Sequence, residues 1–390
     1  MDKLTFESSP IGDLVPISGV NALLQENYEH WAYVPRNLPV EIELGNQTHA
    51  LVAEAARQLG NLQGLLGNVP NPQLLIRSSV KREAQSTSAL EGTYATLEAI
   101  FEGELLPEDS LPGDLREVIN YINAAHEGLK IAESGAISIN DLSRLQNVIV
   151  YKTEGGRNRP GQIRDRQVII GDPTRPISES RFIPPPAGDS LRNSYYEWEK
   201  WIHSNPHMHS IIVIALAHYQ FETIHPYFDG NGRLGRLIIL MQLQKEGLLV
   251  PPVLNLSGWF NQQPDEYRDQ LRKLSATGNW AEWIEFFCAA VIGQSKLEVK
   301  RINELLEFRS NLLSKLRDSK NRGFVIQLAE TLIGNPFFTV SGAAKEFGVA
   351  FPTVNNAVKK LVGIGVIREL TGKGYERIFM TPGVMKILES

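Results

Sequence analysis

His225-Pro-Tyr-Phe-Asp-Gly-Asn-Gly-Arg-Leu-Gly-Arg236 sets an imidazole, a carboxylate, an asparagine, three glycines and two arginines within twelve consecutive positions. An apolar run, Ile211-Ile-Val-Ile-Ala-Leu-Ala217, precedes it and reads as a central buried helix ending near Thr223. A second helix is expected over 233–246, stopped by Gly247 and Pro251-Pro252. The loop between them carries Gly230 and Gly232 on either side of Asn231. Successive backbone N–H groups in such a loop, at a helix N-terminus, make an anion nest, because no Cβ blocks the approach of a phosphate. Arg233 and Arg236 lie three apart and share a face of the new helix. Two guanidinium forks beside a nest suit a polyphosphate. Asp229 supplies a hard oxygen for the Mg²⁺ that such a nucleotide carries, and His225 is the natural general base. A tight helix–turn–helix connection would account for Asp-Gly and Asn-Gly alone. It would not account for base, acid, glycines and arginines together.

Working outward, apolar spacing predicts helices over 48–66, 75–91, 94–101, 115–134, 140–150 and 190–203, with long helical segments over 283–316. The first stretch instead holds extended, proline-marked pieces such as residues 33–39. Residues 155–186 are rich in glycine and proline and contain Val168-Ile169-Ile170 and Phe182-Ile183, which predicts an exposed hairpin or flap over 162–170 with 182–183. The last stretch has helix–turn–helix rhythm over 340–361, followed by a hairpin, a wing, over 366–379. Lys345, Lys359, Lys360, Arg368, Lys373 and Arg377 give it cations that could meet phosphates. The expected organisation is therefore an N-terminal region over 1–112, a core over 113–317 and a winged helix-turn-helix module over 318–390.

The chain has 390 residues, 42% of them hydrophobic, and a net charge of −5 with both signs interspersed. This is no coat for nucleic acid or for an anionic membrane. The single cysteine, Cys288, rules out a disulfide framework within the chain and points to a reducing compartment. No signal-like N-terminus and no apolar run of about 20 residues is present, so a soluble, cytoplasmic protein with no membrane contact is expected. His203, His207 and His209 match no zinc spacing, and His218 reads as a hydrogen-bonded core histidine.

The quoted stretch resembles the Fic signature, H-x-F-x-[D/E]-G-N-G-R-x-x-R, and departs from it at Tyr227, where phenylalanine is usual. The residues before it, Ala217-His-Tyr-Gln-Phe-Glu-Thr-Ile-His225, are also similar to that family, and the likeness covers most of the chain before about residue 300. The resemblance implies a mainly α protein: a Fic-fold helical core with a β-hairpin flap, an N-terminal helical regulatory region and a C-terminal winged helix. It implies protein adenylyltransferase activity, in which AMP passes from ATP, with Mg²⁺, to a Ser, Thr or Tyr hydroxyl of a target protein or of the chain itself. His225 would deprotonate the hydroxyl and Asp229 would bind the metal. The Gly230–Gly232 backbone and Asn231 would hold the α-phosphate region, while Arg233 and Arg236 would hold the outer phosphates. Doc-type kinases carry lysine where Gly232 stands, so glycine favours AMP transfer.

Thr87-Ser-Ala-Leu-Glu91-Gly92 resembles the family's inhibitory motif, [S/T]-x-x-x-E-[G/N], placed N-terminally as in class II proteins. Thr87 and Glu91 lie four apart, and a carboxylate delivered to Arg236 would take the fork meant for the γ-phosphate. Val168, Ile169 and Ile170 of the flap would dock a target segment by strand addition. Asn261 and Tyr267 would border the adenine pocket. Assembly into a homo-oligomer is also expected. Two other readings stand beside this one: a nucleotide-sensing DNA-binding regulator, with the winged module touching DNA or a protein, and an AMP-removing enzyme in which Glu91 orients water.

Overall fold

The computed structural model describes every residue except 22–23, 68, 70, 173, 205, 320–321 and 371–376. After a short helix α1 (Lys3–Phe6), the chain makes a hairpin of β1 (Gly12–Asn21) and β2 (Glu26–Pro35), paired antiparallel from Gly12 opposite Pro35 to Asn21 opposite Glu26. Helices then dominate: α2 (Asn46–Gly67), α3 (Gln73–Leu90), α4 (Leu97–Gly103), α5 (Gly113–Ser134), α6 (Ile139–Ile149), α7 (Asp189–His203), α8 (Ser210–Ile224), α9 (Asn231–Lys245), α10 (Leu256–Gln262), α11 (Pro264–Thr277) and α12 (Trp280–Asp318).

The helix expected to be central is central. α8 buries Ile211, Ile214, Ala215, Leu216, Ala217 and Phe221. The indole N–H groups of Trp198 and Trp283 donate to the carbonyls of Ala217 and Ala215, each at 2.9 Å. α8 ends at His225, whose backbone is left-handed (φ 49°, ψ 62°). α9 begins at Gly230, also left-handed (φ 76°), which a side chain would strain. Asn231 closes the loop between them: its Oδ1 accepts from the Tyr227 N–H and its Nδ2 donates to the Tyr227 carbonyl, both at 2.9 Å. The Tyr227 hydroxyl, extra relative to a phenylalanine, pairs with Ser143 (3.0 Å) and Tyr195 (3.1 Å).

The extended N-terminal pieces form a full ten-by-ten-residue hairpin braced on the flap. The Tyr33 N–H donates to the Ile183 carbonyl at 2.9 Å, and the rings of Phe6, Tyr33 and Phe182 cluster with centroids 5.5–5.7 Å apart. In the flap expected over 162–170 with 182–183, an antiparallel bridge joins Ile170 to Phe182, with one N–H bond in each direction (2.9 and 3.1 Å), and the ladder extends no further among the described residues. Side chains take the carbonyls that strands would use. Arg164 donates to the Arg166 and Pro185 carbonyls, and Gln167 to those of Val168 and Pro184. Pro184, Pro185 and Pro186 offer no N–H.

Beyond α12 lie α13 (Phe324–Thr331), β3 (Phe337–Thr339), α14 (Val340–Phe347), α15 (Phe351–Gly363), β4 (Arg368–Glu369), β5 (Ile378–Met380) and α16 (Pro382–Glu389), with sheet order β3-β5-β4. The expected wing loop, with Lys373, falls on residues 371–376, outside the described residues. The division expected at residue 318 coincides with the end of α12, yet the apolar core continues across it. One cluster gathers Val325, Leu328, Val354 and Leu361, while Phe337, Met380, Val384 and Leu388 join the main core. The Phe101 and Phe337 rings stack with centroids 5.4 Å apart. Glu298 of α12 accepts from Arg82 of α3 (2.6 Å) and from Arg301 (2.7 Å). Arg77 of α3 pairs with Glu346 of α14 at 3.6 Å, so the C-terminal elements also meet the helix that carries Thr87. Among the described residues no helix is long and apolar enough to cross a membrane.

Candidate active site

One cavity gathers part of the expected set, while Thr87, Asp229, Gly230, Asn231 and Arg233 are not among its lining residues. Glu91, Glu222, His225, Gly232, Arg236 and Tyr267 line it, with Ile170 and Phe182 of the flap at its edge. The first turn of α9 opens onto it. The N–H groups of Asn231, Gly232 and Arg233 precede the first intrahelical bond, from Leu234 to Gly230 (2.9 Å), and a helix start of this kind binds anions.

His225 holds its Nδ1 3.4 Å from the Glu222 carbonyl. Donation there leaves Nε2 with a lone pair. Burial, and then the Arg164 guanidinium, push the imidazole down to about 4, so it is neutral at physiological pH and able to accept a proton. Arg164 also fixes the strained backbone at this position: its Nε donates to the His225 carbonyl at 2.9 Å, and its own N–H donates to the Pro226 carbonyl at 3.0 Å.

Arg236 is only 3% exposed. Its Nε donates to Thr87 Oγ1 at 2.6 Å and its Nη2 to the Thr87 carbonyl at 3.2 Å and to Glu91 Oε1. α3 therefore delivers Thr87 and Glu91 to one guanidinium. Burial alone would raise the Glu91 carboxyl. The Arg236 charge more than reverses this, and the carboxyl lies below its usual range, ionised. Gly92, at φ +88°, lets the chain turn away directly after the carboxylate. A Cβ on Gly232 would meet Glu91 Oε1, so a side chain there would push the carboxylate away from its present place beside Arg236.

Three placements differ from the sequence reading. Asn231 spends its side chain on Tyr227 and offers only its backbone N–H to a ligand. Arg233 turns away from Arg236: its Nη1 donates to Glu117 of α5 at 2.9 Å and its Nη2 to Asp229 Oδ1 at 3.4 Å. Their side chains diverge from a shared helix face because separate carboxylates claim each. Asn261 is exposed and does not line the cavity, whereas Tyr267 lines it with its hydroxyl 2.8 Å from His218 Nε2. Of the flap residues, Ile170 reaches the cavity, and Val168 and Ile169 line a groove outside it with Phe228.

Sequence reasoning missed Arg164, Glu117 and Glu222. Glu222 had a signal: it is the one carboxylate on a helix that begins as an unbroken apolar run. Its Oε1 is buried without a hydrogen-bond partner among the described residues, and burial raises the carboxyl to about 7. A carboxyl raised on folding contributes stability that is full below its unfolded value and is lost as pH rises through about 7. Glu222→Gln should therefore raise the stability at pH 8 by on the order of 2 kcal/mol and leave it nearly unchanged at pH 4. Urea denaturation at the two pH values measures this, and an equal change at both would contradict the assignment.

Comparison with known proteins sets these residues in context. Residues 49–130, which include Thr87 and Glu91, match the model described as Fic/DOC family N-terminal, and residues 136–243, which include His225 to Arg236, match that of the Fic/DOC family. Over 176 residues the chain is 31% identical to the protein adenylyltransferase Fic of Drosophila ananassae, a match covering 44% of this chain and 30% of that protein. Over 207 residues it is 28% identical to the protein of the same name from Nematostella vectensis, covering 48% and 44%. The matches span less than half the length of these curated relatives. A crystal structure of a Fic family protein from Desulfovibrio desulfuricans G20 superposes with a TM-score of 0.56 at 20% identity, covering 88% of this chain and 98% of that one, and so shares the fold.

Proposed function

We propose that this chain is a member of the Fic/DOC family and that its site moves AMP from ATP onto a hydroxyl side chain of a protein. The observation that carries the proposal is the convergence, on one cavity, of a neutral histidine, the free N–H groups of a helix start and a buried arginine. His225 Nε2 takes the proton of the target hydroxyl as its oxygen attacks the α-phosphorus. The bond from that phosphorus to the bridging oxygen breaks, and pyrophosphate leaves. The α9 N-terminus stabilises the charge gathering on the α-phosphate oxygens. Arg236 orients the outer phosphates when Glu91 releases it.

Asp229 fits a Mg²⁺ carried by the nucleotide. Its Oδ2 makes no hydrogen bond among the described residues, and one carboxylate is enough where phosphates and waters complete an octahedron. When bound, the ion would neutralise phosphate charge. The target segment lies along the flap, where Val168 and Ile169 face a groove that reaches Phe228 beside the catalytic loop. A reducing, cytoplasmic setting suits the single buried Cys288.

DNA recognition by the C-terminal module is the weaker reading. Arg377 donates to Asn355 at 2.7 Å and pairs with Glu369, and Arg368 pairs with Glu98, so these groups are engaged within the chain. AMP removal has one observation in its favour: the ionised Glu91 shares the cavity with His225 and could orient water. Incubation of the Glu91→Gly variant with α-labelled Mg-ATP, and of the wild type with an AMP-modified protein, separates the activities. Label on protein supports transfer. Release of AMP without any incorporation would replace it.

A further inference from the structure

The inhibitory motif has a second anchor, one residue past Gly92. The Thr93 hydroxyl donates to Glu117 Oε2 at 3.0 Å. Arg233 Nη1 donates to the same oxygen at 2.9 Å. Arg233 is 3% exposed, and through Nη2 it also reaches Asp229 Oδ1. A continuous chain of polar contacts therefore runs from Asp229 through Arg233 and Glu117 to Thr93, and from there through two peptide units to Glu91. Its middle member stands on α5, a helix held to the catalytic side of the molecule by Asn120, whose Nδ2 donates to the Tyr151 carbonyl at 2.7 Å and the Ile149 carbonyl at 3.3 Å.

The chemistry of this chain is directional. A carboxylate oxygen that receives a guanidinium N–H and a hydroxyl at once is oriented by both. The Thr93 N–H also donates to the Ser88 carbonyl at 2.9 Å, so the hydroxyl bond adds to a turn already closed on α3, and Gly92, in the left-handed region, links that bond to Glu91. Glu91 keeps 39% of its side chain open toward the cavity, so its grip on Arg236 needs the backbone behind it to be fixed. Thr87 fixes that backbone from the helix side, and Thr93 is placed to fix it from the other.

We infer that Glu117 and Thr93 are positioning residues: they hold Glu91 against Arg236, and they tie that hold to Arg233 and Asp229 on the far side of the catalytic loop. A nucleotide whose phosphates or metal draw Arg233 or Asp229 would loosen the same carboxylate that steadies the inhibitory segment. Binding at one side of the loop thereby weakens inhibition at the other. The inference rests on the reading of the cavity as a nucleotide site.

Its test uses the full chain and two readouts. Thr93→Val removes the hydroxyl at nearly constant volume, and Thr93→Ser restores it. ATP affinity is measured by calorimetry, and AMP incorporation with α-labelled ATP, each in the wild-type and Glu91→Gly backgrounds. Thr93→Val should raise ATP affinity and incorporation about tenfold over wild type, a size suited to one hydrogen bond to a charged group. Thr93→Ser should stay within about twofold of wild type, allowing for the imperfect geometry of a smaller side chain. In the Glu91→Gly background Thr93→Val should change nothing, since there is no carboxylate left to position. Unchanged ATP affinity in Thr93→Val, or an equal gain in both backgrounds, would overturn the inference. If Glu91→Gly binds ATP but incorporates no AMP, the transfer reading fails, and the affinity measurements alone still decide the role of Thr93. If no variant binds ATP, the nucleotide reading itself is lost, and this inference with it.

Discussion

His225→Ala, made in the Glu91→Gly background, should lower AMP transfer by about 10²- to 10⁴-fold and leave the affinity for ATP within about threefold. The imidazole touches the proton and not the phosphates. Its Nδ1 is spent on the Glu222 carbonyl, and burial, then the Arg164 charge, push it down to about 4, so the resting form is the base. The phosphate ligands proposed here, the α9 N-terminus and Arg236, are untouched by the substitution. The left-handed backbone at 225 is held by Arg164, which donates to the carbonyl and not to the ring, so alanine keeps the loop in place at some conformational cost. Two measurements settle the matter: label incorporation and calorimetric titration with ATP. Transfer that survives at more than a tenth of the parent rate would remove His225 from the chemistry. Loss of ATP binding together with transfer would make it a structural residue of the loop.

The central stretch was legible because a phosphate-binding helix start makes local demands. Glycines at 230 and 232, an asparagine between them and arginines one turn on are consequences of geometry within a dozen residues. The direction of each side chain was not local. Arg233 and Arg236 differ only by which carboxylate waits for them, Glu117 on α5 or Glu91 after α3, and both partners lie more than a hundred residues upstream. The same holds for Asn231, whose amide closes the loop on Tyr227. The pairing of the flap is shorter than its strand character suggests for a related reason. Val168 to Ile170 has strand character, but Arg164 and Gln167 compete for the carbonyls a ladder would need, and three prolines face them. The N-terminal hairpin was under-read although β2 carries aromatic residues at Tyr28, Trp31 and Tyr33. Pro16 and Pro35 disguise it, and Pro35 stands at the end of β2, where a ladder tolerates it. Tyr267 shows the limit of reading aromatics by position. It does reach the cavity, but His218 holds its hydroxyl from the core side.

Glu91→Gly should raise AMP transfer about a hundredfold, which requires about 2.7 kcal/mol of relieved competition. The pair it breaks is stronger than a surface ion pair on one side only. Arg236 is 3% exposed and Glu91 39%, so part of the attraction is screened and the full charge-assisted value does not apply. Thr87 makes up some of the difference, because its hydroxyl and carbonyl already orient the guanidinium toward α3. An incoming γ-phosphate must displace Glu91 before it can reach the fork. With the carboxylate in place, ATP binds with its outer phosphates turned, and the α-phosphate leaves the line of attack from the target oxygen. Glycine at 91 removes the competitor, while the hydrogen bonds of His225 and Asp229 are left as they are. Arg236→Ala alone should transfer no better than wild type, and Glu91→Gly with Arg236→Ala should lose most of the hundredfold gain, since the freed partner is gone. The four proteins are compared by α-labelled incorporation at equal ATP. Equal incorporation by wild type and Glu91→Gly would make residues 87–92 an ordinary helix end. A double variant as active as Glu91→Gly would show that Glu91 blocks the cavity by its bulk and not by occupying Arg236.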